Sequence, residues 1–287
     1  MKIVDKEVNI RGSSVGDSTW IRLGSTVENT FVGNHVFIGF NCLIYNAKIM
    51  NHVQIASNTQ IGNANGDQVL IESAVWLGAG VRIKAGVTIG EGSVIGAETY
   101  VENNIEPYSV VVGNPGKVIK SRDCVKDSFP VFNETLEIAS YQEKMGRGIH
   151  RNTEGNYITA DINAESDYKI GTGNILIGKN TSGGGITIGN NVSIGDKNIF
   201  EGFGSITLGD NVCMGNGNHI LSNGHDYTKL SMPRTSLPVV IDNNVFIGDN
   251  VTILGGLTIP RNTRIDSNML VIQGKNREIK LIRKEGI

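Results

Sequence analysis

Aliphatic residues recur at every sixth position from Ile71 through Leu77, Ile83, Ile89, Ile95 and Val101. The fifth residue of each unit is small or aliphatic: Val75, Val81, Val87, Ser93, Thr99 and Ile105. A helix of 3.6 residues per turn does not keep every sixth residue on one face, and an ordinary strand alternates every second. Short strands with a turn every six residues satisfy both constraints, which is the hexapeptide signature of a parallel β-helix. The phase runs back through Ile61, Ile55 and Ile49 and, with one residue fewer, through Ile44, Ile38 and Val32. It returns at Ile188 and Ile194, at Leu208, Met214 and Ile220, and at Ile241, Ile247, Ile253, Ile259 and Ile265. An antiparallel sandwich would instead show turn signals about every 8 to 12 residues. The pattern predicts an all-β chain built as two tandem solenoid arrays.

The arrays also match each other directly. IESAVWLGAGVRIKAGVTIGEGSVI, from Ile71, aligns without a gap on IDNNVFIGDNVTILGGLTIPRNTRI, from Ile241, at an offset of 170. Further back Ile61 pairs with Ile220 at an offset of only 159, so the second array carries an insertion, as long as the difference between the two offsets, between Asp226 and Ile241. Residues 124–168 lose the period. The expected organisation is a first array over 1–123, a connector over 124–168 that packs across the solenoids, and a second array over 169–287. Asn133 is placed to cap one short connector helix that stops at Gly146.

Composition narrows the function. The 26 basic and 28 acidic residues of the 287 nearly balance, at a net charge of -2, which disfavours nucleic acid as the ligand because that binding is driven by clustered cations. Glycine, at 37 residues, is about twice its usual share, while proline is sparse at 6, as a turn-dense fold requires. Cys42, Cys124 and Cys213 show no CxxC spacing, so they suggest neither a disulfide framework nor a zinc site. The N-terminus lacks a signal-peptide run, and no stretch approaches the eighteen or so apolar residues of a membrane span. A cytoplasmic protein is expected.

The hexapeptides, the loop that breaks them, and the segments SNGHDY, PVVIDNNVFIGDNV and VVVGNPGKVIKSR together resemble the left-handed β-helix acyltransferases, the group of galactoside, maltose and xenobiotic acetyltransferases and bacterial polysaccharide O-acetyltransferases. The resemblance takes in both arrays and leaves out the connector. It implies a triangular prism with three hexapeptides per coil, a homotrimer, and acetyl-CoA as co-substrate in the groove between neighbouring prisms. The repeat specifies the fold; the loop with its histidine points to acetyl transfer.

His225 stands where the regular coil gives way to the insertion, at the position that matches the catalytic histidine of those enzymes, whereas its ungapped counterpart in the first array is Gly66. Imidazole ordinarily titrates near pH 6.5, so a neutral ring is available as a base. Its task would be to take the proton of an acceptor hydroxyl during attack on the thioester, help typically worth 10² to 10⁴ in rate; closing a loop is the plainer role. Glu201, on the preceding coil of the same prism side, is the candidate to orient the ring. Asn198 falls near a family asparagine that contacts acceptor, and Tyr227 and Arg234 are inserted-loop groups suited to a sugar. His35 and His52 occupy one phase a coil apart, so their rings should stack as an external ladder; no third ligand is spaced to complete a metal site, and none is expected. His150 lies in the connector.

On the donor side the second array departs from the family pattern, with Phe246 where Trp is usual and Asp249 where a small residue follows Gly248. The first array keeps Trp76, Gly78 and the Pro115 segment but has no base. The second array is therefore read as the catalytic one, with Lys275 and Arg277 for the CoA phosphates, and the first as an inactive copy used for assembly or acceptor binding. The expected function is acetyl-CoA-dependent O-acetylation of a sugar or glycan hydroxyl. The alternatives are N-acetylation of a nucleotide-linked amino sugar and a non-catalytic solenoid scaffold.

Overall fold

The computed structural model describes residues 2–130, 155–165, 167–178 and 185–284. They form short strands, together with one 3-10 turn at Gly202–Gly204. The strands collect into three sheets of eight, six and five strands in the first array, and three of seven, five and five in the second. Within the coils consecutive strands enter different sheets and pair in parallel with the strands one coil away, which is a hexapeptide β-solenoid. The helix anticipated after Asn133 lies outside the described residues.

The period of the sequence is the inward direction of the coil. Ile21, Ile38, Ile55, Leu77, Ile95 and Val111 stand in register one above another, and all are fully buried. Leu176, Phe200, Ile220, Ile253 and Val271 form the corresponding row of the second array. Each such side chain removed from water contributes about 1.5 to 3 kcal/mol, so the rows supply much of the stabilisation of elements too short to hold themselves.

The corners explain the glycine and asparagine. A triangular coil must turn sharply within a residue or two, and many corners do so with a residue in the left-handed region, where asparagine and glycine are tolerated best. Asn244, Asn250, Asn262 and Asn268 all have φ between 54° and 63°. Their amides then bond from coil to coil, Asn244 to Asn262 at 3.1 Å and Asn250 to Asn268 at 2.7 Å. His35 and His52 take the same backbone conformation, with φ of 55° and 61°, and their rings stack at 4.9 Å and 3°.

Coil length varies where the chain leaves the prism. In the first array Trp20 pairs with Phe37, Phe37 with Gln54, Gln54 with Trp76 and Trp76 with Val94, and the step from Gln54 to Trp76 is the longest of these. In the second array Ile175 pairs with Ile199, Ile199 with His219, His219 with Thr252 and Thr252 with Leu270, and the step from His219 to Thr252 is much the longest. These two long steps differ by the same amount as the two sequence offsets, which locates the insertion in the coil between His219 and Thr252. Solenoid pairing also begins before residue 169: Tyr157–Ile158, Ile162–Ala164 and Tyr168–Ile170 each join a sheet. Those strands are short and edge-like, with too few inward aliphatics to show a period.

At its C-terminal end each array adds an antiparallel closing strand to one of its three sheets, Lys117–Ser121 against Ser109–Val112 and Ile279–Arg283 against Met269–Gln273. A reversed strand satisfies the exposed edge without offering a template for a further coil. The chain divides into two compact units. One is Met1–Lys144 together with Asp226–Pro233; the other is Met145–His225 together with Arg234–Ile287.

Candidate functional site

The insertion leaves the prism in the coil between His219 and Thr252. After the strand His219–Leu221 the chain turns at Ser222 and runs through Asn223–His225. It returns through Arg234–Ser236 as the antiparallel partner, with His225 directly opposite Arg234. The half-buried His225 is thus the last residue of a two-stranded ribbon. The guanidinium of Arg234 lies 4.5 Å from the centre of the Phe203 ring, within cation–π range. Ser222 ties the root of the ribbon: its hydroxyl donates to the Glu201 carbonyl at 2.8 Å and accepts from the Gly204 amide at 2.9 Å.

Beyond the ribbon is the tip Asp226–Pro233. The Asp226 amide donates to the Pro233 carbonyl at 3.0 Å and closes its neck. The Asp226 carboxylate accepts from the Thr228 hydroxyl at 2.6 Å and from the Thr228 amide at 3.0 Å, bonds that hold its pKa below the ordinary aspartate value. Tyr227 is 41% exposed, with the Lys120 ammonium 5.0 Å from its ring centre.

Glu201 and His219 form a carboxylate–imidazole pair. Glu201 Oε1 lies 3.0 Å from His219 Nε2, with the imidazole buried and the carboxylate partly so. The length of this coil sets the contact, because Ile199 registers with His219 and Glu201 with Leu221. Spacing alone puts Glu201 one coil before this strand, and no local signal marks an imidazole that starts a strand as the partner of a carboxylate one coil earlier. His219 Nδ1 and Asn223 Oδ1 are buried and have no hydrogen-bond partner among the described residues. Such atoms typically cost about 1 to 3 kcal/mol each.

Asn198 does not offer its side chain to an acceptor. It is fully buried in a ladder with Asn156, Asn174 and Asn218. Its Nδ2 donates to Asn174 Oδ1 at 3.1 Å, and its Oδ1 accepts from the Asn218 amide at 2.8 Å. The side chain is consumed in stacking coils, the same use that asparagine has at the exposed corners.

The residues assigned to the donor divide by location. Phe246 is half-buried in the strand Phe246–Ile247, with the Arg264 guanidinium 4.2 Å from its ring centre. Gly248 leaves no room for a side chain, since a Cβ there would meet Ser267 Oγ at 2.5 Å and the Ser267 amide nitrogen at 2.6 Å. Asp249 is exposed, but its Oδ1 accepts from the amide of Asn216 at 2.7 Å, which makes it a rung of a corner ladder. Lys275 and Arg277 are exposed on the turn between the last two strands, where Arg277 has a φ of 64°.

Comparison with known proteins agrees with the repeat. Residues 68–103 match the family model described as "Bacterial transferase hexapeptide (six repeats)". An acetyltransferase-like protein of Staphylococcus aureus (strain MRSA252) is 48% identical over 66 residues, 23% of this chain and 33% of the relative. A chloramphenicol acetyltransferase of Agrobacterium fabrum is 46% identical over 57 residues, 20% of this chain and 27% of the relative. The chain thus spans about a third of the length of the curated relatives it matches. Among solved structures, AntD, an N-acyltransferase from Bacillus cereus in complex with dTDP and 3-hydroxybutyryl-CoA, is 18% identical over 50% of this chain and 88% of that one, with a TM-score of 0.39. The chain is a hexapeptide-repeat solenoid that resembles the left-handed β-helix acyltransferases. The stretch matched by the family model lies in the first array, and His225 lies in the second.

Proposed function

We propose that the protein is an acetyl-CoA-dependent O-acetyltransferase acting on a sugar or glycan hydroxyl, with His225 as general base. The observation that carries the reading is the position of His225: half-buried, at the end of the ribbon that leaves the solenoid, with Arg234 as its cross-strand neighbour. A sugar hydroxyl is far too weak an acid to ionise beforehand, so its proton must leave as the oxygen attacks the thioester carbonyl. The imidazole accepts that proton. The tetrahedral oxyanion is then held by a backbone N–H; its collapse breaks the C–S bond, the imidazolium returns its proton to the leaving sulfur so that CoA departs as the thiol, and the acetyl group stays on the acceptor oxygen. Arg234 and Tyr227 supply the cationic and aromatic groups suited to a sugar or its acidic substituent. Glu201, which is bonded to His219, is the carboxylate proposed to orient the His225 imidazole.

For the donor, the proposal places CoA along the second array beside Phe246, Gly248 and Asp249, with its phosphates at Lys275 and Arg277, in a homotrimer. The rival reading, N-acetylation of a nucleotide-linked amino sugar, uses the same histidine. The test is a thiol-release screen with acetyl-CoA across neutral sugars, glycans and amino sugars, followed by mild base treatment of the product. Loss of the acetyl group in base identifies an ester and supports the proposal. A base-stable amide overturns O-acetylation, and absence of transfer to every class favours a non-catalytic scaffold.

A further inference from the structure

The tip Asp226–Pro233 is bonded to the segment that follows the first array's closing strand, and one buried side chain is the centre of that attachment. Arg122, 4% exposed, spends its guanidinium on three backbone carbonyls. Nη1 donates to Gly92 at 2.7 Å, Nε to Tyr227 at 2.9 Å and Nη2 to Lys229 at 2.7 Å. The first belongs to the solenoid and the other two to the tip. Main-chain bonds extend the seam, from the Val125 amide to the Thr228 carbonyl at 2.8 Å and from the Leu230 amide to the Val125 carbonyl at 2.9 Å. Asp127 then accepts from the Ser231 amide at 3.0 Å and the Ser231 hydroxyl at 2.6 Å.

A buried arginine given to carbonyls needs an explanation, since the ion is costly to take out of water and carbonyls return less than a carboxylate would. Tyr227, whose carbonyl is held, follows His225 with only Asp226 between them, and the bond between the Asp226 amide and the Pro233 carbonyl closes the neck where they meet. A residue so close to a fixed peptide inherits much of its constraint. The lysine alternative would not serve, because an ammonium on a flexible stem does not present the planar fork that reaches three acceptors at once.

We infer that Arg122 is a positioning residue for His225: it fixes the tip of the insertion at the Tyr227 and Lys229 carbonyls, two and four positions along the chain from His225. This rests on His225 being the general base. Misplacing a catalytic group by about an ångström can cost on the order of 10²-fold in rate, and a loosened but still tethered loop less, about tenfold.

The test compares wild type, Arg122→Ala, Arg122→Lys, Ser231→Ala and His225→Ala by amide hydrogen exchange and by acetyl-CoA thiol-release kinetics with the acceptor found productive. Arg122→Ala should raise exchange at the Leu230 and Ser231 amides by at least about tenfold. Its kcat should fall about tenfold with the acetyl-CoA KM unchanged, while amides of the strands Gln54–Ile55 and Trp76–Leu77 keep their protection. Arg122→Lys should restore neither. Ser231→Ala, which removes one bond at the exposed end of the seam and leaves Arg122 in place, should show both effects at about two- to threefold, and it decides the matter should Arg122→Ala fail to fold. Unchanged exchange at Leu230 and Ser231, or faster exchange with unchanged kcat, overturns the inference while His225→Ala remains inactive. A fully active His225→Ala overturns the general-base proposal itself, and with it the catalytic consequence assigned to Arg122.

Discussion

Asp5 holds three donors at once. Its carboxylate accepts from Trp20 Nε1 and Arg22 Nε, each at 2.8 Å, and from the Leu23 amide at 3.1 Å. The Arg22 guanidinium is buried between Trp20 and Phe40, at 4.1 and 4.0 Å from their ring centres. Asp5→Ala is therefore expected to lower the unfolding free energy by about 3 kcal/mol in urea titration, more than an exposed ion pair would, because it leaves a buried cation without its carboxylate. Replacement of an exposed partner such as Asp266, 3.1 Å from Arg264, should change it by less than about 1 kcal/mol. At this scale the sequence was legible where a side chain obeys the coil. His35 and His52 stack because they share a corner phase. It was not legible where the partner depends on coil length: Glu201 meets His219 only because of the register that their coil adopts, and Asn198 joins an internal ladder that looks, in sequence, like any polar residue before a strand.

Among the elements, the seam between residues 122–127 and the tip has a titratable end. Asp127 is held well below the usual carboxylate range by the Ser231 hydroxyl and amide. A carboxylate depressed in the folded state contributes stability that is complete above its ordinary pKa of 3.8 and is lost as pH falls below it. Protection of the Ser231 amide is accordingly expected to stay level from about pH 7 to pH 5 and to decline below about pH 4; Asp127→Asn should abolish that decline. Neither strand of the ribbon nor this seam follows from hydrophobic spacing. The insertion shows in sequence only as a stretch without period, and its attachment joins Arg122 to Lys229, 107 positions apart. What can be read from spacing is the set of elements whose interior faces repeat.

For the molecule as a whole, the two arrays are built alike and differ in one coil. Both have inward aliphatic rows and antiparallel closing strands. They differ in the coil that leaves the prism, which is short between Gln54 and Trp76 and long between His219 and Thr252. The all-β solenoid is written in the chain because so short a strand leaves each inward position little choice but an aliphatic side chain. In the proposed arrangement Lys275 and Arg277 contact only the remote phosphates, so replacing both by alanine should raise the acetyl-CoA KM with little change in kcat. A collapse of kcat at constant KM would move the donor elsewhere, and sedimentation of the same variant should show the proposed trimer.

The central claim is that His225 removes the acceptor proton, and single-turnover transfer from acetyl-CoA by wild type and His225→Ala tests it most directly. The variant should bind acetyl-CoA with a Kd within about twofold of wild type and transfer the acetyl group 10² to 10⁴ times more slowly, roughly 3 to 5 kcal/mol of barrier. Retention of most of the wild-type rate by the variant, at unchanged acetyl-CoA affinity, would contradict the account.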